Sequence, residues 1–391
     1  MKSASAINRE SELRLAEAFL RAANKCRISL RDRRDLITKF GCLQKLLQNQ
    51  KFHLEKENYE LALREDIFFN FQVSYREAYR QLCSEDKETS SDISVKLCND
   101  ELFPNRLKEI DSCPCLLFGK GDNWEILNSS YQVAVIGSRT PSHYGMEVTR
   151  CLVSDLAQAG IVVISGGAVG IDTLAHRHSL AAGGRTCAVL GSGISKPYPH
   201  SNKKLFGDIS SQEGLVISEF LPDEPPRKRN FPQRNRLIAA LADALIVTEA
   251  GAKSGTLITA DFAADYGRDV FAVPGSIFSG RSRACHQLIK EGASLLQSAD
   301  DLDMIQSRQL GFTLSSKQET VSNTKEENKF SKEECLVLQC LCIAPSSLTE
   351  LSRKSELPVD RLALILAHLQ KDGFVDRARG LYTSRVSGYN F

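Results

Sequence analysis

The chain has 391 residues, with 50 Lys and Arg against 48 Asp and Glu. That length suits two or three domains with a large core, and a formal net charge of +2 leaves any attraction to nucleic acid to the placement of charge and not to its sum. No run of about 18 apolar residues occurs, so a membrane-spanning helix is excluded. The 12 cysteines are scattered among apolar runs, and the N-terminus lacks a signal-like apolar segment, which points to a reducing cytoplasm. Neither Cys113-Pro-Cys115 nor Cys340-Leu-Cys342 has the two-residue gap and second pair of a structural zinc site, so no metal is expected.

In chain order, residues 1–98 read as a helical domain. Leu13, Ala16, Phe19, Leu20 and Ala23 share a helical face, with Ser11 as the expected N-cap. Ser29 is expected to cap a second helix that Gly41 ends, and LITKFGCLQKLL (36–47) then reads as helix, turn, helix. That outline occurs in the hairpins that touch nucleic-acid backbones and in ordinary helical packing domains, and the second reading is preferred. Ser84 to Ser94 is polar and reads as a loop. The next domain, 99–305, opens with a proline-punctuated lead-in and one strand at Cys115–Phe118. Strands are then expected at 132–137, 161–165, 185–190, 215–219, 244–249 and 269–273 with helical patterns between them. Alternation of this kind predicts an α/β fold with a mostly parallel, Rossmann-like sheet covered on both faces.

Residues 306–330 turn to Ser, Gln, Thr, Asn, Lys and Glu, the composition of a flexible linker. Residues 331–391 recover a core: two helical segments precede a third, where Leu362, Ile365, Leu366 and Leu369 form a helical stripe ended by Gly373, and a hairpin around Gly380 follows. This order predicts a winged helix. Its charge is nearly balanced, so a protein-contact or weak duplex-binding role weighs as much as sequence reading.

Two turns face a common edge of the predicted sheet. QVAVIGSRTPSHYG (132–145) breaks at Gly137-Ser138-Arg139, and IVVISGGAVGIDTLAH (161–176) breaks at Ser165-Gly166-Gly167. Such turns gather at the carboxyl ends of parallel strands, where backbone N–H groups and helix N-termini favour negative charge. Neither the dinucleotide pattern G-x-G-x-x-G nor the P-loop pattern is present, so no nucleotide cofactor is expected. Catalytic groups are also sparse: Asp172 and His176 lie four apart on one helix, and Ser165 and Ser254 have no evident base, so the chain does not read as an enzyme. Cations, by contrast, cluster. PPRKRNFPQRNRLI (225–238) holds Arg227, Lys228, Arg229, Arg234 and Arg236 around Phe231 without one acidic residue. With Arg139, Lys203, Lys204 and Lys253, they are expected to form one row along the sheet edge. A row suits a polymer, and single-stranded nucleic acid fits a backbone-tracking groove with occasional aromatic contacts.

The motifs GSRTPSHYG (137–145), SGGAVGIDTLAH (165–176), FPQRNRLIAAL (231–241), EAGAKSGTLITA (249–260) and VFAVPGS (270–276) closely resemble the DprA/Smf proteins. The resemblance extends to the helical N-terminal region, there a SAM or helix-hairpin-helix-like domain, and to the C-terminal winged helix. It implies an extended Rossmann fold that binds single-stranded DNA, forms a homodimer and helps load the RecA recombinase onto strands covered by single-strand-binding protein, as in natural transformation. Carried over by position, it implies DNA contacts from Arg139, Ser165 and Gly166, from Asn202 and Lys203, from Arg234, Asn235 and Arg236, and from Lys253, Ser254, Gly255 and Thr256. Three departures stand out: Val169 where the family often has arginine, and Ala284 and His286 where glycine and asparagine are usual. The alternative is a nucleoside-monophosphate phosphoribohydrolase of the related α/β fold, whose PGGxGTxxE motif the SGT turn resembles. Its catalytic glutamate would fall at Thr259, which cannot act as that base.

Overall fold

The computed structural model describes residues 4–48, 65–84, 92–128, 131–252, 254–302, 331–343, 346–355, 357–378 and 380–384. It divides into two compact units, 1–306 and 307–391. Among the described residues no helix is long and apolar enough to cross a membrane.

The first unit is built on a nine-stranded sheet. In chain order its strands are β1 (Ile93–Leu97), β2 (Leu116–Lys120), β3 (Gln132–Ile136), β4 (Val162–Ser165), β5 (Thr186–Val189), β6 (Leu215–Ser218), β7 (Ala244–Val247), β8 (Asp269–Ala272) and β9 (Ser294–Leu295). Spatially they run β1-β2-β6-β5-β4-β3-β7-β8-β9. Strands β3 to β9 pair in parallel, whereas β2 is antiparallel to β6 and β1 to β2. All six strands expected of the repeated unit are present. From β3 the chain winds outward through β4, β5 and β6, then returns to β7 on the other side of β3. That reversal creates a crevice at the carboxyl ends of β3 and β7, the place where open α/β sheets bind ligands.

Helices cover both faces because the strands are apolar on both. Ala134 and Ile136 face one layer with Leu237, Ala240 and Leu241 of α9 (Asn230–Leu241). Val133 and Val135 face the other, with Leu152 and Leu156 of α6 (His143–Gln158) and Ile171 and Ala175 of α7 (Ile171–Ala181). The remaining helices of the sheet domain that concern the site are α8 (Lys203–Ser211), α10 (Thr256–Asp265) and α11 (Arg283–Lys290); the short α5 (Asn105–Lys108) lies in the lead-in.

The N-terminal region contains α1 (Ala4–Lys25), α2 (Leu30–Phe40), α3 (Leu43–Gln48) and α4 (Glu65–Ser84). Ser29 caps α2 by accepting from Asp32 N, and Gly41 ends it at a φ of 73°, as its sequence predicts. Ser11 does not cap α1, since the helix already starts at Ala4. Strand β1 lies just before the boundary expected at residue 98. Strand β1 belongs to the sheet, and Phe19, Leu36 and Phe71 share one core with Phe118, Ala188 and Val216. The helices and the sheet are therefore joined by burial, a link that a reading of local composition misses.

In the second unit, α12 (Lys332–Ile343), α13 (Leu348–Ser355) and α14 (Val359–Lys371) precede the antiparallel hairpin β10 (Val375–Ala378) and β11 (Leu381–Ser384). Leu362, Ile365, Leu366 and Leu369 are buried against Val337, Leu341 and Leu351, so the helical stripe faces its own core. The linker expected at 306–330 lies outside the described residues.

Candidate nucleic-acid interface

A cleft of about 960 Å³ opens at the β3/β7 crevice. Arg139 and Ser138 reach it from the turn after β3, Ala168 and Asp172 from the turn and helix after β4, and Tyr198 from the segment after β5. Lys228 and Phe231 come from the segment after β6, and Ser254, Gly255, Thr256 and Thr259 from the turn and helix after β7. Five strand ends thus converge as expected, but the cations divide into two sets.

One set faces outward. Arg139 and Lys228 are both exposed and both line the cleft. Among the described residues neither makes an ion pair. The turn that carries Arg139 is held rigidly: Ser138 N donates to Glu249 O at 2.6 Å, and Ile171 N donates to Ser138 O at 3.0 Å. Gly170, at a φ of 89°, permits that second contact, because a Cβ there would lie 2.3 Å from Ser138 O. After β7, Ser254 Oγ donates to Thr256 Oγ1 at 2.7 Å and accepts from Thr256 N at 3.2 Å. This closes the SGT turn and leaves Gly255 exposed at its tip. Tyr198 and Phe231 pack edge to face, their centroids 5.8 Å apart, as an aromatic wall. Asn235 is half-buried and lines the same cleft.

The other set is structural, and here several expectations are corrected. Arg234 is 5% exposed. Its guanidinium donates to Gly166 O at 2.6 Å and to Val189 O, and lies near Asp172. Burial depresses its pKa to about 10, with Arg139 adding to the depression and Asp172 opposing it. Arg236 is also 5% exposed; it donates to Glu219 and to Ser112 O, the latter at 2.6 Å. Burial raises the Glu219 pKa while the Arg236 charge pulls it back. Arg236 therefore binds a carboxylate inside the protein and does not line this cleft. Ser165 is fully buried and donates to Val135 O at 2.7 Å. Gly166 N is taken by Asp172 Oδ2 at 3.2 Å, so neither residue offers a turn donor. Asn202, 3% exposed, donates to Gly167 O and Thr173 Oγ1 at 2.9 and 2.7 Å. It holds the glycine turn from beneath. Lys203 is exposed at the start of α8, beyond the residues that line the cleft. Lys253 lies outside the described residues.

Arg227 and Arg229 depart from the expected row as well. They line a separate pocket of about 470 Å³ beneath the N-terminal helices, with Arg33, Glu219 and Glu224, and Arg227 pairs with Glu224 at 3.0 Å.

The acidic residues beside the cleft are turned to backbone donors. Asp172 accepts from Gly166 N and Ala168 N, and burial raises its pKa against the pull of Arg234 and those bonds. Glu249, 3% exposed, accepts from Ser142 N at 3.0 Å and from Ser142 Oγ at the start of α6. A Cβ on Gly145 would lie 2.9 Å from its Oε2. The helix N-terminus that a dinucleotide-binding sheet presents to pyrophosphate is thus occupied by a carboxylate of the protein itself. Glu249 went unassigned in the sequence; its only signal is an acidic residue ending an otherwise apolar strand. Tyr198 was likewise not placed at the site, since only the fold brings it to the crevice, whereas Lys228 and Phe231 belong to the basic segment already expected there.

The model of the DNA recombination-mediator protein A family matches residues 94–306. This chain belongs to that family. Among its relatives, DNA processing protein DprA of Streptococcus pneumoniae is 46% identical over 203 residues, 52% of this chain and 71% of that protein. Protein Smf of Escherichia coli is 39% identical over 204 residues, 52% of this chain and 54% of that protein. The crystal structure of the Streptococcus pneumoniae protein superposes with a TM-score of 0.56 at 34% identity, covering 78% of this chain and 98% of that one. The matched family segment contains the whole cleft and every residue assigned to it.

Proposed function

We propose that this chain binds single-stranded DNA across the cleft at the β3/β7 crevice and so acts as a recombination mediator, delivering strands to a RecA-type recombinase in the cytoplasm. The observation that carries this reading is the sorting of charge at the cleft. Arg139 and Lys228 are exposed where they line it, whereas Asp172 and Glu249 are buried on backbone donors. The opening is therefore positive without needing a basic chain overall. Family membership supports the mediator role, and the Tyr198–Phe231 wall suits unpaired bases, which present a π-face.

Within the proposal, phosphates run between Arg139, Lys228 and the SGT turn. Arg234, Asn202, Ser165 and Gly166 act as positioning groups that fix the two turns. The filled helix N-terminus at Glu249 favours a polynucleotide tracking the outer rim over a small nucleotide seated on the turn. Thr259, 2% exposed in the cleft wall, is a hydroxyl where a phosphoribohydrolase needs a carboxylate, so hydrolysis is not favoured. A homodimer, contact with single-strand-binding protein and a winged-helix role for residues 331–391 in protein or weak duplex contact complete the proposal.

The test is fluorescence anisotropy with a labelled oligothymidylate and a duplex of equal length at several salt concentrations. Tighter binding of the single strand is expected, with log affinity falling against log salt by about 0.7 per neutralised phosphate. Equal affinity for both forms, or a salt-independent signal, would refute it.

A further inference from the structure

Beyond the cleft, the loop after β8 carries two apolar side chains in water: Ile277 is 78% exposed and Phe278 93%. A single exposed apolar residue needs no explanation. Here, however, two adjacent ones stand on a loop tied to its surroundings from several sides. Tyr144 Oη donates to Pro274 O at 2.7 Å, and His286 Nε2 lies 3.0 Å from Gly275 O. Within the loop, Phe278 N donates to Ser276 Oγ at 3.3 Å and Ser279 N to Ser276 O at 3.0 Å. A Cβ on Gly275 would sit 2.2 Å from Ser282 Oγ, so the base of the loop is packed against the turn that starts α11. The backbone is built to hold the tip outward.

The loop is also fastened to the cleft. Arg281 donates to Thr140 O at 2.7 Å, and Thr140 follows Arg139 in the chain. The exposed tip is thus coupled to the turn that carries the outward-facing cation. Arg281 and Arg283 are both exposed beside it. Apolar side chains beside exposed arginines in sequence, on a loop tied through Arg281 to the turn of Arg139, match a ligand that alternates flat rings with phosphates, as single-stranded nucleic acid does.

We propose that Phe278, with Ile277 beside it, is a stacking platform for an unpaired base of the same strand whose phosphates cross the β3/β7 cleft. The proposal rests on the reading of that cleft as a single-strand site and adds a base contact to its phosphate contacts. Stacking on an aromatic face is sequence-tolerant because every base has one, so the platform adds affinity without selecting sequence. His286, which stands where the resembled family usually has asparagine, serves here to hold the loop at Gly275.

The experiment compares two oligonucleotides of one length, an oligothymidylate and an abasic strand that keeps sugars and phosphates, on the full chain. Phe278→Ala is expected to weaken oligothymidylate binding roughly five- to a hundredfold, the range of one lost stack, and to leave abasic-strand binding unchanged. Phe278→Trp supplies an independent readout, since the native chain has one tryptophan and Trp124 is 2% exposed. Its new indole signal is expected to be quenched by oligothymidylate and not by the abasic strand. Equal losses on both strands, no loss on either, or a change in sedimenting mass of Phe278→Ala that marks the tip as a contact between copies would overturn the platform. Failure of the wild type to bind either strand would instead overturn the cleft reading, and the platform with it.

Discussion

The outer rim of the cleft and its floor are built from the same kinds of residue with opposite outcomes. Arg139 at the rim is exposed and meets no carboxylate among the described residues, while Arg234 in the cleft wall and Arg236, two residues on and outside the lining, are 5% exposed and committed to carbonyls and a carboxylate. The difference teaches that a cation near a phosphate site can act in two ways. At the rim it meets the ligand; in the floor it shapes the turns on which the rim stands. Removing a floor residue should damage the fold, and removing a rim residue should damage binding alone.

The largest effect that would break this division is at Arg236. Arg236→Ala leaves Glu219 buried without its partner, and loss of one member of a buried pair costs about 3–5 kcal/mol. Urea denaturation should show that loss, and a variant that unfolds like the wild type yet fails to bind DNA would move Arg236 to the rim. Next is Asn202→Ala, which removes the buried donor to Gly167 O and Thr173 Oγ1 and is expected to cost about 1–3 kcal/mol. Any weakening of DNA binding by this variant should follow its stability, and binding loss at full stability would contradict a positioning role.

A smaller, graded effect comes from His176, fully buried, where burial above all depresses the pKa to about 3. Its Nδ1 lies 2.8 Å from Thr186 Oγ1. Because the unfolded chain takes up this proton below a pH of about 6.5 and the folded chain does not, stability should fall as pH drops through that value. The slope from this group is at most about 1.4 kcal/mol per pH unit, levelling off near the folded pKa. Denaturation midpoints measured between pH 7 and pH 5 on the wild type and on His176→Gln test it: the variant should lack this component, and identical pH slopes would remove His176 as its source.

How far the sequence discloses these features depends on their range. Strands β3 to β8 were legible because each is a short apolar run between turn residues, and a parallel sheet buried on both faces needs no alternation. The turns at Gly137 and Ser254 were legible for the same local reason. Burial of Arg234 and Arg236 was not, since Asp172 and Glu219 reach them only through tertiary packing, and a dense basic segment reads as exposed until those partners are placed. Arg227 and Arg229 miss the cleft because consecutive residues of one segment face different sides. Burial across the boundary expected at residue 98 was hidden similarly: Phe19, Leu36 and Phe71 share a core with the sheet. Glu249 could be seen as acidic but not as the group that fills the start of α6.

The most direct measurement is the salt dependence of oligothymidylate binding for Arg139→Ala beside the double variant Arg227→Ala/Arg229→Ala, with denaturation curves for both. If the β3/β7 cleft carries the strand, Arg139→Ala keeps wild-type stability, lowers affinity by about 1.5–3 kcal/mol, the worth of a charged hydrogen bond, and flattens the salt slope by about 0.7. The double variant then binds with the wild-type slope. The reverse pattern, with Arg139→Ala unchanged and the double variant losing slope, would place the strand at the pocket beneath the N-terminal helices and contradict the account.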